Sequence, residues 1–162
     1  MCRALRASHG PNEYEFLVRP RTPVQVAVAA TGMLLAAFVW RFLTFTGFSN
    51  DHYAHLALAQ QMLLGERPIR DFSDPGWPLT YLISAGAWQL AGDTMAVEWF
   101  IVTLGFALGA AFSVFAAHRL SGSLTVALVV AALELLAFPR TYSYPKMLVY
   151  GGAGWALIAL AA

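Results

Sequence analysis

Between Thr22 and Trp40 the chain runs nineteen residues without a charged side chain. A second such run extends from Trp99 to Ala117. As helix, each is about 28 Å long. That approaches the roughly 30 Å of a bilayer's hydrocarbon core. Two runs of this kind in 162 residues leave little material for a polar surface. Charged residues make up 12% of the chain and apolar residues 59%, whereas soluble domains carry about 25% charged residues. The pattern excludes a soluble domain and an intrinsically disordered chain. A net charge of +1 offers no basic face for phosphates and excludes a nucleic-acid binder. The expected class is all-α: a polytopic transmembrane helix bundle with amphipathic juxtamembrane helices in the first extracytoplasmic loop.

Residues 1–22 form a polar tail with Arg3, Arg6, Arg19 and Arg21 and without the pattern of a cleaved secretory signal. Pro23–Phe48 is the first expected span, with Arg41 near its far end, within snorkelling reach of the interface. Ser49–Pro78 is polar. Ser49 or Asn50 is placed to cap a helix over Asp51–Leu64, which Gly65 ends. Trp77–Ala91 is apolar but short, and suits a helix lying in the interface, where Trp77, Tyr81 and Trp88 are at home. Gly92–Glu98 is a polar link. Further spans are expected at Trp99–Ala117, at Leu120–Phe138 around Glu134, and from Met147 to Ala162. This last run is still apolar at the final residue, so the chain reads as the N-terminal part of a longer protein. Cys2 is the single cysteine and excludes an intrachain disulfide.

Four arginines ahead of the first span place the N-terminus in the cytoplasm. The section from Asp51 to Glu98, with six of the nine acids, is then outside. If Trp77–Ala91 lies flat, His118 and Arg119 return to the cytoplasm, and Arg140 and Lys146 are outside with Asp51. If it spans, the two clusters fall on opposite sides. The flat arrangement is favoured. Nine arginines against one lysine, with abundant alanine, are typical of GC-rich bacterial genomes, so a multi-pass inner-membrane location is expected.

Several groups are candidates for chemistry. Asp51 is either a first-turn acid favoured by the helix dipole or a carboxylate held at the membrane surface to take a proton or hold a cation. Asp51 and His55 share a helix face in Asp-His-x-x-His, a pairing that suits a divalent metal such as zinc or manganese. Asp71 and Asp74 lie in the Pro-rich stretch Arg70–Pro78, which is either a loop closed by an Arg70 ion pair or a substrate-facing loop. Arg140, Tyr144 and Lys146 gather at a span boundary, as ordinary interfacial anchors or as a site for a lipid phosphate. Glu134 is an ionisable group in an apolar run, either paired in the bundle or reaching the interface one turn from Pro139. Gly105 and Gly109 form a GxxxG packing pattern. No Walker loop, HExxH, GxSxG or dinucleotide fingerprint occurs.

The order Asn50-Asp51-His52-Tyr53-Ala54-His55-Leu56-Ala57, Met62-Leu63-Leu64-Gly65, Arg70-Asp71-Phe72 and Gly76-Trp77-Pro78-Leu79, closing at Gly92, resembles the N-terminal part of the GT-C type membrane glycosyltransferases. These include protein O-mannosyltransferases and lipid A aminoarabinose transferases. The resemblance covers about Val24 to Gly92. It implies a polyprenyl-phosphate sugar as donor and a lipid, glycan or protein acceptor on the extracytoplasmic face. It also implies loop helices that lie along the membrane. Asp51 matches the family's acid after the first span, as base on the acceptor hydroxyl, directly or through a metal. Arg140 and Lys146 fall where relatives place residues near the donor phosphate. The chain has His52 where many relatives have glutamate, and no acid between Pro139 and Lys146. The competing classes are a non-enzymatic polytopic membrane protein, such as a transporter or flippase component, and an inactive fragment. The former gathers its polar groups near mid-membrane, whereas here most lie at the boundary.

Overall fold

The computed structural model describes residues 22–73, 78–137 and 154. Among these residues the fold is all-helical: α1 (Pro23–Thr44), α2 (Asn50–Leu63), α3 (Pro78–Ala91), α4 (Met95–Ser121) and α5 (Leu124–Ala137). Local chemistry sets the helix ends. Thr22 and Gln25 form a reciprocal capping box ahead of Pro23, whose missing N–H costs nothing in the first turn. The Thr94 hydroxyl caps α4 by accepting from the Val97 amide. Gly65, Gly92 and Gly122 hold left-handed backbone after α2, α3 and α4, where a side chain would be strained.

The first expected span is shorter than foreseen, since helix stops at Thr44 and residues 45–49 leave the helical path. The second is longer. It begins at Met95, so Glu98 belongs to the first turn of α4 and not to a polar link. α5 covers fourteen residues as described, about 21 Å. Two helices, α1 and α4, are long and apolar enough to cross a membrane. The tail before Thr22 and the run from Met147, apart from Gly154, lie outside the described residues.

α1 and α4 pack antiparallel. Ala30 shares a cluster with Val114, Ala37 with Ala107 and Ala110, and Phe42 stacks on Trp99 at 4.5 Å. Alanines at the seam let the backbones approach closely, the usual way for helices to associate when lipid is the alternative neighbour. α5 folds back along α4, with Ala127 and Ala131 against Val114. Gly105 and Gly109 are buried on α4, as their spacing predicts. The Ser113 hydroxyl donates to the Glu134 carboxylate, so Glu134 is paired across α4 and α5.

The antiparallel seam sets the end of α1 beside the start of α4. Residues 45–94 therefore leave and rejoin the helix pair at the same end. α2 and α3 pack on each other there through Leu56, Ala59, Tyr81, Ala85 and Trp88. Tyr81 and Trp88 face this small core, although the sequence expectation set them at the interface.

Along α1, Val24, Val28, Leu35, Val39 and Leu43 are each more than half exposed. A helix apolar on its buried and its open faces is typical of a segment whose surroundings are not water.

Overfilling the alanine seam should separate α1 from α4. Ala107→Leu is expected to cost about 1–3 kcal/mol, while Ala36→Leu on the exposed face of α1 should be near neutral. Thermal melting of the two variants in detergent checks this, and equal effects would place the seam elsewhere.

Candidate functional site

Asp51 lies in the first turn of α2, directly after the step out of α1, and is exposed. The Ser49 side chain makes no capping bond to this helix, and its carbonyl accepts from the His52 amide at 3.0 Å. A carboxylate here is stabilised by the helix dipole and open to water. His55 lies one turn on and is half-buried. Among the described residues, no group of three or more His, Cys, Asp or Glu side chains is arranged to hold a metal.

The neighbouring residue has the opposite environment. His52 is fully buried, stacked on Phe48 with ring centres 4.8 Å apart. Its Nε2 lies 2.9 Å from Oε1 of Glu98, also fully buried. Ser84 Oγ donates to the same oxygen at 3.1 Å. One carboxylate oxygen thus ties together α2, α3 and α4. The sequence reading did not single out this cluster. Its signals were there: His52, Leu56 and Ala59 recur at helical spacing on one face, and Glu98 follows the Thr94 cap by four residues.

Arg41 is fully buried, contrary to the snorkelling expectation. Its guanidinium carbon lies 4.7 Å from the Phe106 ring centre and 5.4 Å from that of Phe45. The antiparallel α4 brings Phe106 alongside, and the two aromatic faces hold the cation inside. Phe45 also stacks near Trp99, and Phe48 lies edge-on to Phe45. The link between α1 and α2 is therefore fastened by rings.

The loop after α2 is organised by Asp71. Its carboxylate accepts from Arg70 Nε at 2.8 Å, from Arg70 Nη2 at 2.6 Å and from the Arg67 amide at 2.8 Å. This is the loop-closing pair foreseen as one of two readings. Ile69 at the tip has a φ of 71°, strained for a β-branched residue. An open depression is lined by Ile69, Arg70, Asp71, Phe72 and Ser73. Asp74, Arg140, Tyr144 and Lys146 lie outside the described residues, as does Trp77.

The arrangement presents the exposed Asp51 carboxylate on a helix that His52, about 100° round, anchors to Glu98. The salt-bridged loop lies beyond the other end of that helix. Both belong to the segment that leaves and rejoins one end of the α1–α4 pair. Such a carboxylate can take a proton from a hydroxyl or orient it. Comparison of the chain with protein-family models, with curated proteins and with solved structures finds no match.

Removing one partner of the buried pair leaves the other unpaired. Glu98→Ala or His52→Ala should cost about 3–5 kcal/mol, and the apolar double change His52→Phe with Glu98→Leu should recover much of it. Detergent-melting of the three variants gives the comparison, and additive losses would mean that the two side chains act separately.

The Arg70 hydrogen bonds, and then the Arg67 amide, hold the Asp71 carboxyl below the ordinary aspartate range. Its pairing raises Arg70 in turn. A depressed acid stabilises the fold above its unfolded pKa, and that contribution is lost as pH falls through the folded value. The turn should therefore stay closed at neutral and mildly acid pH and open only below the ordinary aspartate range. The Arg67 amide nitrogen shift, followed by NMR, should titrate there, and Asp71→Asn should abolish the titration.

Proposed function

We propose that the chain is part of a multi-pass membrane glycosyltransferase that takes a sugar from a polyprenyl-phosphate donor. The reaction takes place at the extracytoplasmic surface, with Asp51 as base. The observation that carries this reading is the exposed Asp51 carboxylate, fixed beside the end of a membrane-length helix by the burial of the adjacent His52. A base in this position meets an acceptor hydroxyl arriving from water and a lipid-linked donor arriving from the bilayer. As the hydroxyl oxygen attacks the anomeric carbon, its proton passes to Asp51 and the glycosyl–phosphate bond breaks. The polyprenyl phosphate departs with the bonding electrons. Arg140 and Lys146 would stabilise its charge. A divalent ion on Asp51 and His55 would lower the hydroxyl's proton affinity.

The return of the chain to one end of the α1–α4 pair supports this reading. It favours placing Asp51 and the Asp71 loop on a single side, with α3 along the surface. The outward aliphatic side chains of α1 support the membrane setting. The likeness to the GT-C enzymes over Val24 to Gly92 supplies the donor class.

A second reading, a transporter or flippase component, rests on the Ser113–Glu134 hydrogen bond. It ties a partly buried carboxyl group between α4 and α5, and carriers of ions or protons use ionisable groups within their helix bundles.

Asp51→Asn should lower sugar transfer from polyprenyl-phosphate donors in membranes of cells expressing the full-length protein by about 10²–10⁴-fold, with membrane abundance unchanged. Full activity would end the role of Asp51. In a Cys2→Ser background, single cysteines at Ser73, Ser121 and Ser143 report the sides of the membrane. Labelling of 73 and 143 by an impermeant reagent, without 121, is the expected result. Labelling of 121 in place of 143 would separate the clusters and favour the carrier.

A further inference from the structure

α5 carries its one acid at the edge of its open face. Val126, Val129, Val130, Leu133 and Leu136 are all exposed. At 100° per residue they cover an arc of about 120°. Glu134 falls about 40° beyond Val130. That is between the open arc and the side of Ala127 and Ala131, which packs on α4. The acid therefore lies along the groove between the two helices, half-buried. Among the described residues its carboxylate has one hydrogen-bond donor, the Ser113 hydroxyl of α4.

Depth decides what can complete this site. Ser113 is eight residues from the end of α4, and Glu134 is ten residues from the start of α5. These spacings are about 12–15 Å of helix, close to half of the roughly 30 Å of hydrocarbon. A glutamate side chain is too short to reach the interface from there. Ionisable groups at this depth pair with one another or face a water-filled cavity, because hydrocarbon cannot solvate them. One hydroxyl meets a fraction of that need, since serine bonds between transmembrane helices are individually weak. The cations described on these helices lie elsewhere. Arg41 is held on Phe106, about 10 Å further along α4, and His118 and Arg119 occupy the last turn of α4. A second copy of the chain would bring a second carboxylate to the same depth, and like charges repel.

We propose that the groove between α4 and α5 docks a transmembrane helix of a partner protein, one that carries a lysine or arginine at mid-depth. The apolar arc of α5 receives the aliphatic side chains of that helix, and its cation completes the Glu134–Ser113 pair. The charge sets the partner's register, because a shift along the groove leaves both ions unpaired. This goes beyond the proposed function. It shares with it the membrane setting of α4 and needs no transferase activity.

The test uses the chain with Cys2→Ser and Leu120→Cys, labelled with a donor fluorophore in phosphatidylcholine vesicles. The probes are two synthetic polyleucine helices bearing an acceptor fluorophore, one with a central lysine and one without. The lysine helix is expected to give half-maximal energy transfer at a several-fold lower concentration than the plain helix. Glu134→Gln keeps an acceptor for Ser113 and removes the charge, so it should retain the melting temperature and make the two probes equal. Moving the lysine two turns from the centre should do the same. Equal transfer from both probes with Glu134 in place, or a lysine preference that survives Glu134→Gln, would overturn the site. Transfer between donor- and acceptor-labelled copies of the chain, lost on Glu134→Gln, would assign the groove to a second copy and overturn it too. Single cysteines report the medium through an impermeant maleimide. Protection of both Val129→Cys and Glu134→Cys is expected. Reaction at 134 alone would show a water-filled path, favour the carrier and overturn the docking. Reaction at 129 as well would take α5 out of the bilayer and remove docking and membrane setting together.

Discussion

The close antiparallel seam between α1 and α4 is the constraint on which the rest depends. Ala37, Ala107 and Ala110 lie buried there and bring the two backbones together. Because the helices run in opposite senses, the end of one is beside the start of the other. The intervening residues must then be accommodated at that end. α2 and α3 are too short to do otherwise, and they meet the helix pair through its first exposed turns. Arg41 between Phe45 and Phe106 and the stack of Phe42 on Trp99 fasten the junction.

At that junction polar groups go inward. The His52–Glu98–Ser84 cluster joins three helices through one carboxylate oxygen. A buried pair of this kind contributes little net stability over an apolar substitute, while loss of one partner alone is costly. Its consequence is the separation of two adjacent residues. His52 is enclosed, and Asp51, about 100° further round the helix, is left in the open.

Much of this was legible from the residues. The starts of α1 and α2, their breakers and the surface position of Asp51 follow from caps, glycines and charge within a few residues. The Arg70–Asp71 pair was readable as one of two options because its partners are adjacent in the chain. Glu98 was misplaced because an acid beside an apolar run normally marks where that run stops. Here Ser84 and His52 satisfy it and the helix continues. Arg41 was misplaced for a related reason: snorkelling is the default for an arginine near a helix end, and only the facing Phe106 supplies an alternative.

The sequence by itself determined that the chain is helical and where α1 and α2 begin, and it marked the apolar runs of α1 and α4 as approaching membrane length. Those properties depend on neighbours one turn away and on the cost of exposing apolar side chains. Only the tertiary structure decided which side of each helix faces in. That choice depends on partners distant in the chain: Ser84 and His52 for Glu98, Ser113 for Glu134, Phe106 for Arg41. On α3 it turned Thr80, Tyr81 and Ser84 inward, where the Ser84 hydroxyl finds the Glu98 carboxylate.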